Sequence, residues 1–173
     1  IGVDIVERCG DVSDLVRSII FNHHERVDGS GYPSQKQADD IDVYVRMAAI
    51  VDSYDALTTD RPYRTAVPAT SALKALLVDP QYDSVLVQKF IQCLGVHPVG
   101  SLVRLSNDRL GIVVRANKTN PLAPRVITFY SVKSGHYSET KTVDLSKVQE
   151  EIVSSVRPAE FGINLNKFFK TQR

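Results

Sequence analysis

The hydrophobic period of this chain changes once, near Val96, and that change limits the fold more than any other feature. Before it, apolar residues recur at three- and four-residue spacing, the mark of amphipathic helices. After it, short runs alternate apolar and polar and are separated by turn residues, the mark of antiparallel strands. The expected fold is therefore mostly α, a helical domain over 1–98, followed by a small antiparallel β-unit with a partly helical tail over 99–173.

In the helical part, Val12, Leu15, Ile19 and Ile20 lead straight into His23 and His24. Gly29, Gly31 and Pro33 stop that helix, and residues 34–40 read as a polar loop. A second helix should carry Val43, Met47, Ile50 and Tyr54 on one face and end at Arg61-Pro62. Pro68 suits the first turn of a third helix with a Leu73, Leu76 and Leu77 stripe, broken by Asp79-Pro80. A fourth helix carries Val85, Leu86, Phe90, Ile91 and Leu94, with Gly95 as its C-terminal cap.

In the second part, strands are expected at 101–105, 110–115 and Arg125–Ser131, with a weaker one at 140–143. Turns fall at Asn107-Asp108 and Ser134-Gly135, and 117–124 is a loop. Helical pieces are expected at 147–156 and 166–169. The β-unit is expected to cap the helical domain by burying Val103, Ile112, Val114 and Phe129. Lys118, Arg125, Lys133 and Lys141 are scattered without interleaved aromatics, so no nucleic-acid polymer is expected as partner.

Net charge is +1, which gives no global pull toward nucleic acid or an anionic membrane. No apolar run approaches the roughly 20 residues of a membrane-spanning helix. The two cysteines, Cys9 and Cys93, fit buried free thiols and a reducing, cytoplasmic setting. No leader pattern is visible, and because the chain begins at Ile1 and not at Met it reads as a piece of a longer protein.

Two constellations carry chemistry. In the first, adjacent His23 and His24 point about 100° apart at a helix end and suit different ions of one cluster. Glu25 is placed to orient a ligating imidazole, and Asp28 either to do the same or to cap the turn. Gly29 and Gly31 permit close backbone approach. In the second, Asp52 and Asp55 share a helix face at i, i+3. Arg61 and Arg64 follow, with the planar donors that suit phosphate. A capping histidine pair and a local salt-bridge cluster are the plain structural alternatives.

The stretch His23-His24-Glu25-Arg26-Val27-Asp28-Gly29-Ser30-Gly31-Tyr32-Pro33, followed by Arg46-Met47-Ala48-Ala49-Ile50-Val51-Asp52-Ser53-Tyr54-Asp55 and Arg61-Pro62-Tyr63-Arg64, resembles the HD-GYP subfamily of HD-domain phosphohydrolases. The resemblance covers about 1–98, and the β-unit is similar to an extension of some bacterial members. It implies hydrolysis of cyclic di-GMP to the linear dinucleotide or GMP at a centre of two or three divalent ions, iron or manganese. It implies His23, His24 and Asp52 as metal ligands, Asp55 as the catalytic group orienting water, and Arg61 and Arg64 as phosphate contacts. Glu25, Asp28, Gly29, Gly31, Tyr32 and Pro33 would form the supporting or partner loop, with GGDEF-domain proteins as a partner class.

This sequence departs from the family pattern in several places. Arg64 stands where many members have lysine, and Ser34-Gln35 where Gly-Leu is usual. The His-Asp pair that names the superfamily is absent, and His97 and His136 lie in the wrong context to replace it. Three ligands without the upstream set imply that the chain beginning at Ile1 is inactive alone. The alternative is a non-catalytic regulatory or interaction module of the same family.

Overall fold

The computed structural model describes residues 12–165 together with Ile5, Val6, Arg8 and Gly10. The chain divides into two compact units, 1–67 with 71–91, and 68–70 with 92–173. The expected helical piece at 166–169 and Cys9 lie outside the described residues.

The first unit is helical. Helix α1 spans Asp14–Asn22, and Ser13 caps it by accepting from the Val16 amide. Helix α2 spans Val43–Thr58 and starts at Asp42, whose carboxylate accepts from the Tyr44 amide. Helices α3 (Ala69–Val78) and α4 (Ser84–Leu94) complete it. Ile50, Leu76 and Val87 form its buried centre, with Tyr54, Leu57, Leu86, Phe90 and Ile91 packed around them. Gly95 takes φ +83°, as a C-terminal glycine cap requires. None of the described helices is long and apolar enough to cross a membrane.

The buried face of α2 matches the expected one at Ile50 and Tyr54 and differs from it nearer the helix start. Val45, Ala49 and Ile50 are buried, whereas Val43 and Met47 are exposed. This helix is apolar almost all round between Val43 and Val51, so periodicity alone did not select the inner face. It ends at Thr58, a few residues before Arg61-Pro62. Leu77 and Val85 are likewise exposed, and Ala72 takes the buried place in α3. Cys93 is exposed, not buried, because it lies off the inner side of α4 that Val87 marks.

The second unit is an antiparallel five-stranded sheet in the order β4-β3-β2-β1-β5. Its strands are β1 (Leu102–Leu105), β2 (Arg109–Arg115), β3 (Arg125–Ser131), β4 (His136–Asp144) and β5 (Ile152–Ser155). Alternating side chains enter different clusters, except at the irregularity after Thr128, where Phe129 and Tyr130 share one. Leu102, Leu110, Ile112, Phe129 and Tyr130 form one with Ile163; Val103, Leu105, Val113 and Val126 form the other with Ala123 and Leu145. Burial of Val103, Ile112 and Phe129 is thus accounted for within the β-unit, and Val114 is exposed, contrary to expectation.

Strand β5 falls where a helix was expected over 147–156. Ile152 and Val153 are β-branched, and the edge of β1 offers free backbone groups. Val156 N–H donates to Leu102 O at 3.0 Å, and Ser106 N–H to Glu151 O at 2.9 Å. Strand β4 is also longer than the expected 140–143.

Candidate metal centre

Helix α1 ends where its last turn delivers His23 and His24. The His23 ring Nδ1 lies 3.1 Å from the Ile19 carbonyl and 3.0 Å from that of Ile20. Carbonyls only accept, so in the neutral ring Nδ1 carries the proton and Nε2 offers the lone pair. His24 stacks on Tyr32 at 4.6 Å and tilts against His23 at 4.0 Å between ring centroids. Burial holds the His24 pKa below the usual imidazole value, helped by His23 and partly opposed by Asp52. The neutral ring that results is the ligating form.

Asp52 projects from α2 toward the two rings. One donor atom from each of His23, His24 and Asp52 lies within 4.8 Å of the others. Atoms sharing an ion at bond lengths of about 2.1 Å sit about 3 to 4 Å apart. Small rotamer changes therefore bring this set onto one ion or a pair of neighbouring ions. Two imidazoles and a carboxylate suit a divalent first-row metal.

The loop that follows is built around Glu25. Its side chain is buried, and its carboxylate accepts from the Ser34 amide at 2.6 Å and the Lys36 amide at 3.0 Å. Glu25 therefore staples the loop instead of orienting an imidazole. Asp28 caps the turn, accepting from the Ser30 amide at 3.0 Å and its hydroxyl at 2.6 Å. Gly29 takes φ +80°. At Gly31 a Cβ would stand 2.4 Å from Arg26 N and 2.5 Å from Glu25 Cα, so only glycine lets this loop fold back across residues 25–26. The loop passes through a cis Tyr32-Pro33 bond, with Tyr32 and Pro33 both exposed.

The second constellation is more open. Asp52, Asp55, Arg61 and Arg64 are all exposed. Arg61 and Arg64 close a tight turn through paired backbone bonds of 2.9 and 3.0 Å. The Tyr63 hydroxyl, with Asp52 and Asp55 nearby, raises the Arg61 pKa above its already high ordinary value. Arg64 instead donates to the Ala56 carbonyl at 2.6 Å, closing the end of α2. The structure thus gathers His23, His24 and Asp52 and keeps Arg61 in electrostatic reach. It turns one arm of Arg64 toward the helix end.

Sequence reasoning missed the brace behind these groups. Arg26 donates to the His23 and Glu25 carbonyls at 3.2 and 2.9 Å and lies over the Tyr82 ring at 5.1 Å. Tyr82 shares a 2.7 Å hydrogen bond with Ser53, the neighbour of Asp52. The Val27 amide donates to Gln81 O at 3.0 Å, and Arg46 pairs with Asp83 at 2.8 Å. The turn after Asp79-Pro80 therefore ties the histidine segment to α2. Only the amphipathic Tyr82 beside a helix break hinted at this.

Residues 4–85 match the HD domain family. A cyclic di-GMP phosphodiesterase of Pseudomonas aeruginosa is 36% identical over 161 residues, which is 92% of this chain and 39% of that protein. A cyclic di-GMP phosphodiesterase of Borreliella burgdorferi is 24% identical over 161 residues, 90% of this chain and 40% of that one. A 3'3'-cGAMP-specific phosphodiesterase of Vibrio cholerae is 46% identical over 55 residues, 32% of this chain and 13% of its own. The chain spans about two fifths of the length of the first two relatives.

Proposed function

We propose, from the premise that this chain belongs to the HD domain family and carries the HD-GYP motif, that it supplies part of a metal-dependent phosphodiesterase site for cyclic di-GMP. The observation that carries this reading is the convergence of His23, His24 and Asp52 donor atoms within 4.8 Å. The relatives named for cyclic di-GMP hydrolysis supply the substrate class.

His23 offers Nε2, His24 its neutral ring and Asp52 its carboxylate to divalent ions, with iron or manganese proposed and two or three ions per complete site. Such ions, when bound, supply a nucleophilic oxygen at neutral pH and offset charge on phosphoryl oxygens. Asp55, one turn along from Asp52, orients the attacking water by accepting its hydrogen bond. Arg61 holds the phosphate from the open side, and the remaining donors of Arg64 assist. Water adds across the phosphodiester and releases the linear dinucleotide or GMP. The loop 29–33, with its exposed Tyr32, is the proposed contact for a GGDEF-domain protein.

Three ligands seldom fix a cluster, so the 173-residue chain alone is expected to bind ions weakly and to turn over little. The test is metal analysis and cyclic di-GMP turnover by the full-length gene product, wild type and Asp55→Asn. The proposal expects bound metal in both and turnover reduced at least about a hundredfold in the variant, the typical loss for a general acid–base group. Equal turnover removes Asp55 from its role. Absence of both metal and turnover in the wild type favours a non-catalytic interaction module.

A further inference from the structure

The sheet of the second unit ends in a cleft that neither the metal centre nor the proposed reaction uses. It has a volume of about 430 Å³ and is lined by Arg115, Asn117, Lys118, Thr119, Arg125 and Asp144 among others. Lys118 and Arg125, scattered in sequence, meet here beside Arg115. We propose that this cleft binds a small phosphate-bearing anion of nucleotide size.

The charge arrangement carries the argument. Arg115 on β2 stands opposite Arg125 on β3, and Arg125 stands opposite Asp144 on β4. The β2–β3 register shifts between Val113 and Arg115, and Arg115, Arg125 and Asp144 all line the cleft. Like charges directly opposite each other across two strands destabilise the pair. Asp144 answers Arg125 through a 3.2 Å ion pair. Among the described residues no carboxylate lies within ion-pair distance of Arg115 or Lys118. Two cations thus remain uncompensated in one concavity of a chain whose whole net charge is only +1. An anion between them removes the repulsion.

The wall of the cleft is already formed. Asn117 Oδ1 accepts from the Thr119 amide and hydroxyl and from the Asn120 amide, and its Nδ2 donates to Ala123 O. Ala123 is buried in the cluster beneath, and Pro124 is fully buried. The loop bearing Lys118 therefore need not order on binding, which spares an entropic cost. The volume lies within the usual range of small-molecule sites. Planar guanidinium groups favour phosphate over a simple halide.

The experiment is amide-resolved NMR titration of the 173-residue chain in chelator, once with pyrophosphate and once with GMP. The expected result is saturable shifts at Arg115, 117–119 and Arg125, and at least a tenfold affinity loss in Arg115→Gln/Lys118→Gln. A stronger response to GMP assigns the ligand to nucleotides, and equal responses assign it to phosphate alone. Thermal unfolding gives a second reading. Pyrophosphate should raise the wild-type Tm but not that of the variant, which is expected to be at least as stable without anion. No saturable shift at millimolar anion, shifts retained in the double variant, or binding seen only with a nucleic-acid oligomer would overturn the proposal.

Discussion

The two segments that supply the candidate metal centre are held in opposite ways. The segment 23–37 is locked: a buried carboxylate, a glycine no other residue can replace, and a tyrosine stacked on a histidine fix it. The segment 52–64 is open, with Asp52, Asp55, Arg61 and Arg64 all exposed along α2 and the turn beyond it. Ligating imidazoles gain from rigid placement, because their direction sets the bond. Arginines that meet a diffusing phosphate, and a carboxylate that orients the attacking water, gain from access. The contrast implies that changes at the loop supports Glu25 and Gly31 act on folding, and changes at Asp55 and Arg61 act on turnover and binding.

The sharpest test of the locked segment is Gly31→Ala. Its Cβ would stand 2.4 Å from Arg26 N, a backbone atom that cannot swing aside. The expected cost is about 3 kcal/mol or more, from a forced backbone shift. Differential scanning calorimetry of the helical unit's transition measures it. An unchanged transition would break the contrast. Glu25→Ala follows, at about 2 to 3 kcal/mol, because the Ser34 and Lys36 amides lose a buried acceptor. Hydrogen exchange should rise at those two amides first.

Much of this was legible in the sequence, for identifiable reasons. Helix ends were marked by Pro68, Asp79-Pro80 and Gly95, and β1 to β3 by alternation and turn residues. The grouping of His23, His24 and Asp52 followed from the family resemblance and not from their spacing, and the structure brings their donor atoms together while their role as ligands stays a proposal. What periodicity could not supply was direction on elements apolar on several sides, so Val43 and Met47 were assigned inward when Val45 and Ala49 are buried. Strand β5 was read as helix because its pairing with β1 is a long-range event that local pattern does not register. The brace from Arg26 through Tyr82 to Ser53 joins residues distant in sequence, and each looked ordinary alone.

That brace offers a middle-sized test of how far the two segments are independent. Tyr82→Phe keeps the ring under Arg26 but removes the hydroxyl bonded to Ser53. The expected loss of stability is about 1 kcal/mol, a typical net hydrogen bond. If the brace sets the Asp52 position, metal titration of the variant should also show weakened affinity. Arg61→Gln should do neither. As an exposed side chain it should alter stability by less than about 0.5 kcal/mol, and its effect should appear in phosphate binding.

The smallest expected effect concerns pH, and it distinguishes the segments without mutation. The Ser30 hydroxyl and amide hold the Asp28 carboxyl below its ordinary value of 3.8. A depressed carboxylate favours folding above the unfolded pKa and loses that contribution as pH falls through the folded one. Acidification below about pH 4 should therefore loosen the Asp28 turn, seen as a falling protection of the Ser30 amide. Because Asp28 is fully exposed, the change should stay local and small. Asp28→Asn removes the titration while keeping an acceptor for Ser30. A Ser30 amide whose protection ignores pH in the wild type, or follows it unchanged in the variant, would show that the turn is held by something other than this carboxylate.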